Sequence, residues 1–375
     1  MVTFEVFIMS IISGSGFSAN GLPLLIGSLP LTDHREALDW IFAATPEIPL
    51  WPQLPTNPFE QMMPQFAEGI PCIREEDLTE PKGRIFFDIK GADFEKNMLA
   101  FFEEYMAMLE DPKALTKSRF KVSRNRAEGL YLFAETIGTR EDIVAVKGQV
   151  TGPFTMLTGI KDREGRAGYF NDTIREMVIK GIAMKAAWQT RLLAGKSNKQ
   201  VIMFIDEPSL AGLGSSAFIS VTTAEIQAMI NEVAGAIHKA GGLAGIHVCA
   251  NTDWELLLES QIDILSFDAY SFFDKFAPLK NTINTYLDRG SIIAWGGVPT
   301  GRAEDIEKEN SESLTALWER QAELLVGPNR NKQNLLQQSF ITPSCGTGSL
   351  KPELAQKVLG LTRAVSDNLR AKYLS

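Results

Sequence analysis

Short apolar runs recur along the chain, and each ends in a polar residue or in a Gly/Pro cluster. The runs do not alternate between apolar and polar positions, which is typical of parallel strands that are covered on both faces. Eight runs are predicted to be strands, and they begin at Leu22, Ile48, Asp142, Val201, Leu243, Ile262, Ser291 and Ser339. Helical patterns lie between them and predict helices over 33–44, 171–194, 222–240, 252–260, 274–288, 302–325 and 351–372.

Strands that alternate with helices predict an α/β fold, specifically a (β/α)8 TIM barrel. A doubly wound sheet is the competing interpretation, but no Gly-rich dinucleotide-binding turn follows the first strand. The long gap between the second and third strands predicts an insertion over about 60–140, in which "GRIFFDI" from Gly83 and "GLYLFAE" from Gly129 form a hairpin or excursion. We expect an irregular leader over 1–21 and a single catalytic domain over 22–375.

Composition and charge narrow the class of protein. The formal net charge is −9 and no cluster of Lys and Arg occurs, which argues against a nucleic-acid partner. Three cysteines in 375 residues do not form a disulfide framework, so we expect a cytoplasmic protein. The apolar "FEVFIMSIIS" near the N-terminus faintly resembles a signal peptide, but it carries Glu5, has no basic segment before it and is too short to span a bilayer. We expect no membrane partner.

Polar residues follow the predicted strands at their C-terminal ends. In a barrel these ends meet on one face, where barrel enzymes hold their active sites. Two of the three cysteines and one of the three histidines belong to this set, which indicates a site. The set comprises Ser28, Gln149, Asp206, Glu207, His247, Cys249, Asp268 and Cys345.

The stretch "HVC" suggests a metal site. One residue separates His247 from Cys249, so both side chains can point the same way, and Cys345 would return to the same rim after the last strand. One imidazole and two thiolates suit zinc, and ligands from distant segments favour an open catalytic site. The fourth ligand is predicted to be Asp268 or an incoming substrate atom. The alternative is a buried cysteine and a hydrogen-bonded histidine of the core.

The predicted ligand set indicates the chemistry. Two thiolates and a carboxylate would give the site a formal charge of about −1, which makes zinc a poor Lewis acid for hydrolysis. Such a zinc can still hold a substrate thiol as a thiolate at neutral pH. The sequence therefore predicts alkyl transfer to a thiol.

Two carboxylates in "DEPSL" are candidates for substrate binding. Asp206 and Glu207 are predicted to capture a substrate ammonium, with Asp206 in direct contact, because paired acids at a barrel mouth are costly unless a cation arrives. The alternative is a turn in which the aspartate caps the backbone. Ser28 and nearby backbone N–H groups could hold a carboxylate.

Five motifs occur in order over nearly the whole chain: "IGSLP", "KGQVTGPFT", "DEPSL", "HVC" and "PSCGTG". Together they resemble the catalytic C-terminal half of cobalamin-independent methionine synthase, within the superfamily that includes uroporphyrinogen decarboxylase and corrinoid-dependent methyltransferases. The resemblance implies a (β/α)8 barrel with zinc held by His247, Cys249 and Cys345. Asp268 stands where the family has its fourth ligand, a glutamate.

The resemblance further implies that Asp206 binds the amine of homocysteine and that Ser28 lies near its carboxylate. We therefore expect a zinc-dependent methyltransferase of methionine biosynthesis, with Asp206 and His247 as catalytic residues. The methyl donor stays open between a methylated corrinoid on a separate protein and methyltetrahydrofolate. The alternatives are a metal-free lyase similar to uroporphyrinogen decarboxylase, a corrinoid-dependent methyltransferase acting on another thiol, and a non-catalytic zinc- or corrinoid-binding partner.

Overall fold

The computed structural model describes residues 16–80, 82–214 and 218–374. Its strands are β1 (Ile73–Glu76), β2 (Arg84–Phe87), β3 (Ala145–Thr151), β4 (Lys161–Asp162), β5 (Gln200–Asp206), β6 (Leu243–Val248), β7 (Ile264–Phe267), β8 (Ile292–Val298) and β9 (Ser339–Pro343). Six of them form a parallel sheet in the order β3-β5-β6-β7-β8-β9. In a smaller sheet β2 pairs antiparallel with β1 and parallel with β4.

Each predicted helical range contains at least one helix. The ranges 274–288 and 302–325 are each divided between two helices. In the second range the side chain of Asn310 caps the helix that begins at Ser311. The helices are α1 (His34–Ala44), α2 (Met62–Ala67), α3 (Phe94–Glu110), α4 (Glu128–Thr136), α5 (Pro153–Gly159), α6 (Asp172–Ser197), α7 (Thr223–Lys239), α8 (Trp254–Leu258), α9 (Ala269–Phe276), α10 (Lys280–Asp288), α11 (Ala303–Lys308), α12 (Ser311–Leu325), α13 (Lys332–Gln337) and α14 (Pro352–Tyr373).

In the described part of the chain, the first two predicted strands do not form continuous β-strands. The segments 22–28 and 48–53 instead make isolated parallel bridges that connect them to each other and to the two edge strands, β9 and β3. One proline interrupts the first segment and two interrupt the second, and proline has no N–H to donate to a ladder. The bridges join Pro23 to Ile341, Leu50 to Lys147 and Ser28 to Gln53.

The region between the second bridge segment and β3 differs from the prediction in one part. The segment from Gly83 provides β2, which forms an antiparallel hairpin with β1. The segment from Gly129 is not part of a hairpin, because it is helix α4. Its buried residues Leu130, Phe133 and Ala134 have the i, i+3, i+4 spacing of a helix face, and this helix packs against α1 and α6.

Most of the predicted leader, residues 1–15, lies outside the described residues. The rest of it is tied to the main sheet, because the backbone N–H groups of Asn20 and Gly21 donate to the carbonyls of Gln337 and Ser339. Within the described ranges, no helix has the length and apolar character needed to cross a membrane.

The interior of the curved sheet changes from apolar to polar along the strands. One apolar cluster contains residues from both bridge segments and from all six parallel strands. Phe204 fills the centre of this interior beside Gly245, where a Cβ would lie 2.8 Å from the Phe204 ring. Because strand side chains alternate between faces, the next inward positions toward the C-terminal ends include Asp206 and His247. Both polar residues are therefore buried on adjacent, hydrogen-bonded strands.

Candidate metal and substrate site

Three of the predicted metal ligands lie together. One ligand atom each from His247, Cys249 and Cys345 lies within 4.8 Å of the other two. His247 is at the end of β6, Cys249 immediately follows that strand, and Cys345 follows β9. His247 is buried and both cysteines are half-buried, so the group lies at the mouth of the interior.

The imidazole of His247 is oriented by one hydrogen bond. Its Nδ1 lies 2.9 Å from Oγ of Ser266 on the adjacent strand β7. Its Nε2 is buried and has no hydrogen-bond partner among the described residues. Buried nitrogens rarely lack a partner, and metal-binding histidines usually fix one ring nitrogen and present the other to the metal. This geometry fits a ligand at Nε2.

The two thiols of the group contact each other. The hydrogen bond from Cys345 lowers the pKa of the Cys249 thiol, and the same bond together with burial raises the pKa of Cys345. One sulfur is thus prepared to carry negative charge beside His247. Thiolates are the form in which cysteine binds metals.

The turn after Cys345 brings Ser28 to the same mouth. The carbonyl of Ser28 accepts hydrogen bonds from the backbone N–H and the hydroxyl of Thr347, each at 3.0 Å. Gly346 permits this approach, since a Cβ there would lie 2.1 Å from Oγ of Ser28. The structure therefore places Ser28 next to the turn that carries Cys345.

Asp206 is buried at the end of β5, and its Cα pairs with that of His247 on β6. Its Oδ1 has no hydrogen-bond partner in the part of the chain that the structure describes. Burial raises the pKa of this carboxyl group, while the charges of Lys147 and His247 act to lower it. An acceptor that is buried and unpaired beside the His/Cys/Cys group fits the predicted contact with a cationic group.

Asp268, the predicted fourth ligand, is not part of the His/Cys/Cys group. It is the N-cap of α9, and its side chain accepts from the N–H of Ser271 at 2.8 Å. Burial raises the pKa of its carboxyl group, and the neighbouring charge of Cys249 acts in the same direction. The carboxylate is near the group, but the hydrogen bond to α9 holds it as a helix cap.

Glu207, predicted to bind substrate beside Asp206, is directed elsewhere. Its two carboxylate oxygens accept from the backbone N–H groups of Phe154 and Thr155, at 2.9 and 2.7 Å, and from the hydroxyl of Thr155. These donors are the first turn of α5, where a carboxylate is stabilising. The structure thus gives Glu207 a helix-capping contact, and its neighbour Asp206 keeps the free oxygen.

Replacing Glu207 with Gln is expected to lower the free energy of unfolding by about 2 kcal/mol, because an amide NH2 would face N–H donors. Asp33→Asn is the matched control, since Asp33 caps α1 on the surface and Asn caps a helix equally well. Chemical denaturation measures both. A large loss of homocysteine affinity in Glu207→Gln without a loss of stability would instead support the predicted substrate-binding role.

Sequence reasoning did not select three buried polar residues of this interior. Lys147 donates to the carbonyl of Ile26, and Ser266 contacts the ring of His247. The hydroxyl of Thr342 is buried without a partner among the described residues. The lysine in the apolar run "IVAVKGQV" was the available signal, because lysine is almost never fully buried unless it is paired.

Two solved structures share this architecture. A B12-independent methionine synthase from a Shewanella species, in complex with selenomethionine, aligns over 96% of this chain and 97% of its own, with 13% identity and a TM-score of 0.51. A methyltransferase from Methanosarcina mazei aligns over 94% of this chain and 95% of its own, with 12% identity and a TM-score of 0.50. The chain has the fold of these two methyltransferases. This shared α/β architecture agrees with the predicted barrel-like fold.

No protein-family model matches the chain, and no curated protein sequence matches it. Barrel enzymes hold their active sites at the C-terminal ends of their strands. The His/Cys/Cys group lies at the C-terminal ends of strands in this chain. Function must therefore be argued from the site itself.

Proposed function

We propose that this protein is a zinc-dependent methyltransferase that moves a methyl group to a thiol, with homocysteine as the acceptor and methionine as the product. The observation that carries the proposal is the meeting of His247, Cys249 and Cys345 within 4.8 Å at one mouth, with Nε2 of His247 buried and unpaired among the described residues. The two methyltransferases of the same fold support it.

The donor set fits zinc better than other common metals. One imidazole and two thiolates are soft and borderline donors, whereas magnesium and calcium prefer oxygen. We propose His247, Cys249 and Cys345 as ligands, and the substrate sulfur as the group that completes the site. Zinc bound there would supply the acidity that keeps a substrate thiol as its nucleophilic thiolate at neutral pH.

The surrounding residues would orient the rest of the acceptor. Asp206 presents a buried, unpaired oxygen that suits an ammonium group, and Ser28 lies beside the turn after Cys345, where a carboxylate could meet backbone N–H groups. Ser266 holds the His247 ring in place. In the transfer, the thiol releases its proton to solvent and a sulfur–methyl bond forms. The bond from the methyl carbon to the donor breaks, and its electron pair stays on the donor.

Two classes of methyl donor are proposed. A methylated corrinoid on a separate protein and methyltetrahydrofolate both supply an activated methyl group. Incubating the zinc-loaded protein with homocysteine and each donor in turn, with mass spectrometry of the product, distinguishes them. We expect methionine with at least one donor, and no methionine after the metal is removed by a chelator.

Failure to form methionine from homocysteine with either donor would contradict the proposal. Methylation of another thiol in the same assay would retain the chemistry and change the acceptor. Chelator-resistant decarboxylation of a porphyrinogen would instead support the lyase alternative.

A further inference from the structure

Lys147 is buried in the interior beneath the site, where an ammonium group is costly. Its side chain is fully buried at the middle of β3. Burial lowers the pKa of this amine to about 8, and the carboxylate of Asp206 acts in the opposite direction. A buried charge of this kind requires compensation from nearby groups.

The nitrogen of Lys147 is bound by oxygens of two neighbouring segments. Nζ donates to the carbonyl of Ile26 and to Oε1 of Gln149, the latter at 3.3 Å. It also lies 4.8 Å from the centre of the Phe204 ring, a cation–π distance. None of its bonds in the described part of the chain goes to a carboxylate.

Lys147 is therefore bound to the segment that carries one proposed recognition group, Ser28, and it does not block the other. Ile26 is two residues before Ser28, so the lysine anchors the segment that carries the proposed carboxylate contact. Its charge acts on Asp206, yet it leaves Oδ1 of Asp206 unpaired. A direct salt bridge would have occupied that oxygen.

We propose that Lys147 is a positioning residue that makes the site selective for an amino-acid thiol over a simple thiol. Through its bond to the carbonyl of Ile26 it would fix the segment that meets the carboxylate, while it leaves Oδ1 of Asp206 open to the ammonium. This inference rests on the proposed function, because it assumes that a thiol binds at the His/Cys/Cys group.

The test uses Lys147→Met in the zinc-loaded protein. Calorimetric titration would measure the affinities for homocysteine, for 4-mercaptobutanoate, which lacks the amine, and for 3-mercaptopropylamine, which lacks the carboxylate. We expect the preference for homocysteine over 3-mercaptopropylamine to fall at least about tenfold, as for loss of a charge-assisted contact, and the preference over 4-mercaptobutanoate to change less. Zinc content and the affinity for propanethiol should stay within about twofold.

Lys185→Met is the matched control. Lys185 is the other fully buried lysine in the described residues, on α6, and its nitrogen has no hydrogen-bond partner there. We expect this substitution to leave the preference for homocysteine unchanged. If Lys147→Met does not fold, Lys147→Gln tests the same contact with a side chain that is one bond shorter, and it should also lower the preference for homocysteine over 3-mercaptopropylamine.

An unchanged preference in a folded, zinc-loaded Lys147 variant would overturn the inference and leave the proposed function intact. An equal loss in Lys185→Met would also overturn it, because the effect would then come from burial alone. A wild-type protein that loads zinc but binds no thiol would overturn both the inference and the proposed function.

Discussion

Replacing Cys345 with Ser is expected to lower bound zinc from about one ion per chain to below about 0.1, under conditions that load the wild-type protein fully. Cys345 provides one of only three ligand atoms in the group, and a serine hydroxyl is not ionised at neutral pH. Metal analysis of the purified protein by mass spectrometry measures the stoichiometry.

Cys72→Ala is the matched control for this change. Cys72 is the third cysteine, buried in the main apolar core, and it is not part of the His/Cys/Cys group. We expect zinc content to remain at the wild-type value. Equal zinc in wild type and Cys345→Ser would contradict the proposed metal site.

Replacing Asp206 with Asn is expected to weaken homocysteine binding by about 1.5–3 kcal/mol, or roughly 10- to 150-fold. The substitution preserves the shape of the side chain and removes the charge that would pair with the substrate ammonium. Zinc content should not change, because the proposed ligands are untouched. Calorimetric titration of the zinc-loaded variant measures the affinity.

The analogue without the amine provides the control for Asp206→Asn. The affinity for 4-mercaptobutanoate is expected to stay within about threefold of the wild-type value, since this ligand cannot use the charge of Asp206. Equal weakening of homocysteine and 4-mercaptobutanoate would show that Asp206 does not recognise the amine.

The sequence predicted the parts of the fold that follow from long-range burial. Strands β5 to β9 are continuous apolar runs, which is how strands covered on both faces are encoded, and the structure places them in one parallel sheet. The meeting of Cys345 with His247 followed from the same logic, because the carboxyl ends of parallel strands converge. The prediction did not depend on how far apart Cys345 and His247 are in the sequence.

Local hydrogen bonding explains much of what the sequence did not predict. The side chains of Glu207 and Asp268 satisfy helix N-termini, and an acidic residue in a loop looks the same whether it binds a helix or a substrate. The segment from Gly129 is rich in large apolar residues that suit a strand or a buried helix equally well. Lys147 was missed because its partners, a backbone carbonyl and a glutamine, are brought to it only by the tertiary fold.

X-ray absorption spectroscopy at the zinc edge tests the central claim most directly. In the zinc-loaded protein without substrate we predict two sulfur neighbours and at least one nitrogen neighbour around the ion, from Cys249, Cys345 and His247. Addition of homocysteine should raise the number of sulfur neighbours to three. A zinc environment of nitrogen and oxygen alone, or two sulfur neighbours unchanged by saturating homocysteine, would contradict the account.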